Sequence, residues 1–293
     1  MTARFVLLGH PVGHSVSPAM HTAAYRELGL DAEYLSIDCP DPKAVRREVE
    51  RLRGGELSGT NVTVPYKKLA LSLADRADPL AKAVGAANVL CRMPDGSVEA
   101  HNTDVAALAD ELRLHQPSPR SACVLGSGGA ALAAVVACQR LGASVVHVAA
   151  RAFSDSPASA ALGAEFRALG ATPLAMPSDA TQASWCDLLS ECQIVVQATS
   201  AGMRGADSGE ALASLIPWAV LPQGALAYDL VYNPPVTPFL RRAHENAVNG
   251  VGGLSMLVGQ AVHSVMLWTG MTPNRSLMRQ AAEGWLFRGG NSS

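Results

Sequence analysis

The chain contains no apolar run approaching the roughly 20 residues that a membrane-spanning helix needs. Its start, Met1 to Arg4 and then the short run Phe5 to Leu8, lacks the apolar core of a secretion signal. No CxxC pair occurs: the six cysteines (Cys39, Cys91, Cys123, Cys138, Cys186 and Cys192) are scattered, several in apolar stretches. They read as buried free thiols, with no metal site, and the expected compartment is the cytoplasm. Net charge is almost absent too. A formal −2 provides no electrostatic reason to expect nucleic acid or an anionic membrane as partner. No internal repeat stands out beyond an alternation of strand and helix patterns. What remains is a chain of 293 residues, 48% hydrophobic and 16% charged, apolar enough for large buried cores and long enough for about two domains.

The most informative stretch is GTNVTVPYKK, Gly59 to Lys68. Asn61 to Val64 reads as a β-branched strand stopped by Pro65, which can neither donate to a ladder nor leave its predecessor helical. The chain must turn there, bringing Lys67 to the rim of a sheet with Asn61 and Thr63 just before it. In open α/β sheets that rim is where ligands sit. A lysine held there beside polar groups can act as a general acid/base; a solvated lysine opening a helix is the alternative.

Upstream, a strand through Val6 to Leu8 ends in GHPVGHSVSP, and Ser17-Pro18 predicts a helix start with Ser17 as N-cap. The same geometry suits an anion: free N–H groups at the helix end, with the hydroxyls of Ser15 and Ser17 two residues apart. Pro94-Asp95-Gly96 predicts a hairpin turn, and Asp104 falls in the first turn of a helix, where an acid is also ordinary dipole chemistry. The polar stretch His115 to Arg120 reads as a domain boundary.

Beyond it, a strand at Ala122 to Leu125 runs into Gly126-Ser127-Gly128-Gly129-Ala130-Ala131 and an alanine-rich helix. This is the G-x-G-x-x-A cradle for a dinucleotide pyrophosphate. The next strand ends in Ala149-Ala150-Arg151, without the acid that would hold a ribose 2′-hydroxyl. Arg151 points instead to a 2′-phosphate, hence NADP. Gly250 to Gly253 reads as a flexible link. Gln260, inside an otherwise apolar helical stripe, either faces a ligand or lies on the outer face. Thr272-Pro273 predicts the cap of a last helix.

Eight motifs in order resemble the shikimate dehydrogenase family. They are HSVSP (14–18), GTNVTVPYK (59–67), GAANVL (85–90), NTD (102–104), GSGGAA (126–131), ATSAGM (198–203), YDLVYNPPVTPFL (228–240) and MLVGQA (256–261). The resemblance implies two α/β domains with a cleft between them. Residues 1–104 plus 254–293 would form a discontinuous substrate domain with a mostly parallel sheet, and 105–253 a Rossmann-type NADP domain. It implies reversible oxidation of shikimate, a small hydroxy acid, to 3-dehydroshikimate with NADP, on the route to chorismate and the aromatic amino acids. By the same resemblance Lys67 and Asp104 are the acid/base pair. Ser15, Ser17, Asn61, Thr63, Asn88, Tyr232 and Gln260 bind substrate, and Gly126, Ser127, Gly128, Gly129, Ala130, Arg151, Thr199, Leu230 and Gly253 hold cofactor.

The chain departs from the family pattern at Ala150-Arg151-Ala152, with Asp155 nearby, where a second basic residue is common. It departs also at His101 and Ser255, where glycines are common. A quinate or quinate/shikimate dehydrogenase using NAD, and a non-catalytic dinucleotide sensor on the same fold, stay open at this point. So does the choice between monomer and homodimer.

Overall fold

The structure is a computed structural model describing residues 2–153 and 156–289; Asp155 lies outside the described residues. The chain runs from β1 (Ala3–Gly9) through α1 (Ser17–Glu27), β2 (Ala32–Asp38), α2 (Pro42–Arg53), β3 (Gly59–Val62), α3 (Lys67–Leu73), β4 (Arg76–Ala77) and α4 (Pro79–Val84) to the hairpin of β5 (Val89–Arg92) and β6 (Val98–His101). Helix α5 (Asp104–His115) opens a second series: β7 (Ser121–Leu125), α6 (Gly129–Arg140), β8 (Val145–Ala150), α7 (Pro157–Ala168), β9 (Thr172–Ala175), α8 (Ala183–Ser190), β10 (Ile194–Gln197) and α9 (Glu210–Ser214). A 3₁₀ turn (Trp218–Val220), β11 (Leu226–Asp229), α10 (Pro238–Glu245) and β12 (Asn249–Gly252) follow, then α11 (Leu254–Thr269) and α12 (Arg275–Gly289). Two compact units result, Met1–Asp104 with Leu257–Ser293, and Val105–Met256. The 115–120 segment therefore lies inside the second unit rather than at its edge, because α5 is counted with the strands that follow it. No helix among the described residues is long and apolar enough to cross a membrane.

In the first unit the sheet order is β2-β1-β3-β5-β6-β4, and only β5 runs against its neighbours. The hairpin turn forms as its residues dictate: Gly96 takes φ +83°, and Asp95 Oδ1 accepts from the Ser97 N–H and hydroxyl. The assigned strand β3 starts at Gly59 and stops at Val62, two residues short of the Val64 end expected. Pairing nevertheless persists to Pro65, since the Thr63 N–H reaches Leu8 O and the His10 N–H reaches Val64 O. Asp41 and Asp78 cap α2 and α4 through the backbone N–H groups of Ala44 and Leu80. Two caps fall elsewhere than the sequence suggests. Val16 is already helical (φ −83°, ψ −7°), so Ser17 makes no side-chain cap, and Ser15 Oγ accepts from the Ser17 N–H at 3.2 Å instead. In α12 it is Asn274, not Thr272, that accepts from a first-turn N–H, that of Leu277.

The second unit holds an all-parallel sheet, order β12-β11-β10-β7-β8-β9, the doubly wound arrangement of dinucleotide-binding folds. Cys123, Leu125, Trp185, Leu189, Trp218 and Phe239 are buried together on one side of it. The glycines at 250–252 form edge strand β12 rather than a link. A Cβ on Gly250 would meet the His244 ring at 2.7 Å, so the strand is glycine-rich to let α10 lie close.

Thr237 ties α10 to the sheet. Its hydroxyl donates to the buried carboxylate of Asp229 at 2.5 Å and accepts from the Leu240 N–H at 3.2 Å. Burial pushes the Asp229 carboxyl up to about 6, and the Thr237 and Val231 donors pull it back. Thr237→Ala removes the cap and leaves a buried acceptor unmet, and should cost about 2–3 kcal/mol in urea unfolding, with Thr237→Ser under about 1 kcal/mol.

Candidate active site

Lys67 opens α3 directly after the Pro65 turn, and its Nζ donates to Asp104 Oδ2 at 2.6 Å. Both side chains are largely withdrawn from water, 14% and 6% exposed. Asp104, first residue of α5, is held from behind: Asn88 Nδ2 donates to its Oδ1 at 2.9 Å, and its backbone N–H reaches Asn102 Oδ1. Asn88 cannot turn its amide around, because its Oδ1 accepts from the Thr103 N–H at 2.8 Å while Nδ2 also serves Thr103 Oγ1. A third contact of Nδ2 is Gln260 Oε1 at 3.4 Å. Gln260 is buried, so it is the inward alternative that holds; its Nε2 donates to Leu257 O. The structure thus joins Lys67, Asp104, Asn88 and Gln260 in one polar cluster within the first unit.

Asn61 adjoins the cluster, yet its amide is engaged inside the protein. Its Oδ1 accepts from the Tyr34 hydroxyl at 2.7 Å, and its Nδ2 donates to Asn88 O and to Ser264 Oγ. Ser15 and Ser17 stand together at the start of α1, the first half-buried and the second buried. Thr63 is half-buried just beyond β3, its methyl against Gly9, where any side chain would collide with it.

Beneath Asn61 lies an aromatic layer that the sequence reading missed. Tyr34 stacks flat on His21 (centroids 4.0 Å apart, 4° between planes), and Phe5 stacks on Trp268 at 4.9 Å. The Trp268 indole occupies the space where a side chain on Gly59 would sit, so only glycine fits on β3 there. Residues of α1, β1, β2 and α11 meet in this layer, and no single-strand periodicity reveals it. One signal was available: Gln260 and Ser264 are four apart on one helical face.

In the second unit the loop after β7 keeps its strained glycine. Gly126 has φ +123°, and a Cβ there would lie 3.0 Å from Ala198 O. Ser127, Gly128, Gly129 and Ala130 follow; Gly128 precedes the first turn of α6 with no side-chain cap, and Ala131 is fully buried. That loop and the one after β10 flank the point where strand order reverses. Thr199 is pinned at this point: its N–H and hydroxyl both donate to Gln197 Oε1, and its Oγ1 accepts from the Ala201 N–H. Arg151 is exposed at the end of β8. Leu230 follows β11, its carbonyl so close to Gly253 that a side chain at 253 is excluded. Tyr232, half-buried, belongs to this unit as well.

A dinucleotide-binding sheet in one unit and a lysine–carboxylate pair in the other define an α/β nicotinamide-dependent oxidoreductase. Residues 7–90 match the shikimate dehydrogenase substrate binding domain and 253–283 the shikimate 5′-dehydrogenase C-terminal domain. The chain is 37% identical, over 97% of its length, to 96% of a shikimate dehydrogenase (NADP(+)) from Citrifermentans bemidjiense. It belongs to the shikimate dehydrogenase family. Among solved structures it resembles shikimate 5-dehydrogenase from Thermus thermophilus in complex with NADP(H) and shikimate (33% identity, TM-score 0.80, 97% and 99% of the two chains). It is also similar to 5-ketofructose reductase of Gluconobacter sp. (25% identity, TM-score 0.79, 97% and 99%).

The aromatic layer has a pH signature. Burial lowers the His21 ring to about 3, and its Nε2 has no hydrogen-bond partner among the described residues. The unfolded chain would protonate this ring near 6.5 while the folded chain does not, so stability is lost as pH falls from about 6.5 toward 3. Between pH 7 and 5 the protein should lose about 2 kcal/mol more than a His21→Phe variant in urea unfolding; equal losses would show that the ring does not titrate this way.

Proposed function

We propose that this chain interconverts shikimate and 3-dehydroshikimate with NADP, and that Lys67 and Asp104 move the proton. The observation that carries the reading is the 2.6 Å contact between a buried carboxylate and a mostly buried ammonium at the carboxyl end of β3. As shikimate is oxidised the Lys67 ammonium first passes a proton to Asp104 and the freed amine takes the hydroxyl proton; in reduction the ammonium gives that proton back. Asp104 orients the Lys67 ammonium through Oδ2. Asn88, its amide already engaged at both ends, keeps Asp104 in place, and Gln260 presents its amide to the ring hydroxyls. Ser15 and Ser17, at the start of α1, receive the substrate carboxylate through their hydroxyls, with Thr63 beside the ring. Asn61 acts mainly as a support, since its amide already has protein partners on both ends.

The second unit fits NADP. The Gly126 turn leaves room that any Cβ would fill, and the start of α6 offers free N–H groups to a pyrophosphate. Ser127 to Ala130 line that cradle, Thr199, Leu230 and Gly253 the nicotinamide side, Arg151 the 2′-phosphate, and Tyr232 reaches the substrate. Bound NADP supplies the hydride acceptor. The free thiols, all but Cys186 buried, support the cytoplasm as the compartment.

Initial rates with shikimate and quinate, each with NADP and NAD, test the assignment. Turnover of shikimate with NADP is expected; turnover only of quinate with NAD would overturn it. Lys67→Ala should lower kcat about a hundredfold or more, and an unchanged kcat would remove Lys67 from the chemistry. Arg151→Ser should raise KM for NADP about tenfold and leave KM for NAD unchanged, since it removes only the phosphate partner.

A further inference from the structure

Lys67, Asp104 and Asn88 do not account for the polar groups buried beneath them. Tyr34 lies on β2, Asn61 on β3, and β1 runs between them, yet the tyrosine hydroxyl crosses that strand to reach Asn61 Oδ1 at 2.7 Å. We propose that Tyr34 is a positioning residue for the reaction, bracing Asn61 Oδ1 in the one amide orientation that holds both Asn88, behind Asp104, and helix α11 with Gln260. The proposal rests on the reading of Lys67 and Asp104 as the proton-transfer pair.

The orientation follows from what each partner can do. Ser264 Oγ spends its one hydrogen on Gln260 O at 2.9 Å, so toward Asn61 it can only accept. The Asn88 carbonyl is an acceptor by nature, and it also receives the Val62 N–H at 2.9 Å. Both need the Asn61 NH₂, which leaves Oδ1 for the Tyr34 hydroxyl, its donor among the described residues. Turned around, the amide would set its oxygen against two acceptors in a site from which water is withdrawn. Burial raises the Tyr34 hydroxyl well above its ordinary range, so it remains a donor at every working pH. The ring itself cannot swing away, held flat against His21.

Hydrogen-bond direction therefore runs one way, from Tyr34 through Asn61 and Ser264 to the Gln260 backbone. A second branch leaves Asn61 for the Asn88 carbonyl, whose own side chain grips Asp104. Tyr34 touches neither substrate nor cofactor in this scheme. It acts by meeting Asn61 Oδ1 in the orientation that the two acceptors select.

The test is Tyr34→Phe in the full chain, which keeps the ring and the stack and deletes one oxygen. It is assayed where circular dichroism shows variant and wild type equally folded. Expected are a kcat about tenfold lower, a pH profile of kcat displaced by roughly half a unit, and KM for NADP within about twofold of wild type, the pattern of a misplaced proton-transfer pair. Wild-type kcat and profile would overturn the proposal, as would a loss of activity that only tracks the fraction unfolded. Should Tyr34→Phe not fold, Ser264→Ala carries the test through the α11 branch: KM for shikimate raised about fivefold supports it, and an unaltered KM overturns it. An inactive Lys67→Ala beside a fully active Tyr34→Phe would sink this proposal alone. A fully active Lys67→Ala would sink the reading beneath it.

Discussion

A carboxylate taken out of water must be given back what water supplied, and Asp104 imposes that constraint on the whole first unit. One oxygen receives the Lys67 ammonium and the other the Asn88 amide. Each donor has to be delivered by a different part of the chain. The Pro65 turn delivers the lysine, the start of β5 delivers Asn88, and the Asn102–Thr103 step delivers Asp104 itself. The odd topology of the sheet, with β5 reversed between parallel strands, is what brings these three segments to one edge. The fold is explained by the site as much as the site by the fold.

The second unit answers to a different constraint, close approach to bare backbone. Gly126 against Ala198, Gly253 against Leu230 and Gly250 against His244 are all places where a methyl group would not fit. Gly126, at the end of β7, shapes the crevice at the strand-order reversal by its missing side chain, while Gly250, within edge strand β12, makes room for α10. Arg151, just past β8, and Thr199, just past β10, stand beside that crevice.

Most of the architecture was legible because it is written in local signals. Pro after a β-branched run, Asp before Pro at the head of a helix, Gly at a hairpin and the G-x-G-x-x-A turn each act within a few residues, and each formed as read. The readings that moved were those in which a neighbouring segment decides. Ser17 lost its cap to Val16, which turned helical first; the glycines at 250–252 became a strand because β11 offered a partner; and Asn274 displaced Thr272 at α12. The candidate site was readable as a set of motifs, Lys67, Asn88, Asp104 and Gln260 among them. The support under it was not. Tyr34, His21 and Trp268 come from three elements far apart in sequence, and nothing in any one of them announces the layer they build.

That layer also carries its own optical label. Of the four tryptophans, Trp268 alone is stacked against Phe5, beside His21 and on the bare backbone of Gly59. Its indole N–H is tied to the Leu90 carbonyl on β5, one residue past Val89 and two past Asn88. The ultraviolet emission of this one side chain is therefore set by how α11 seats on the sheet. The protein comes with a fluorophore fixed to the floor beneath the Lys67–Asp104 pair, ready to report a shift of that floor without a dye or a tag.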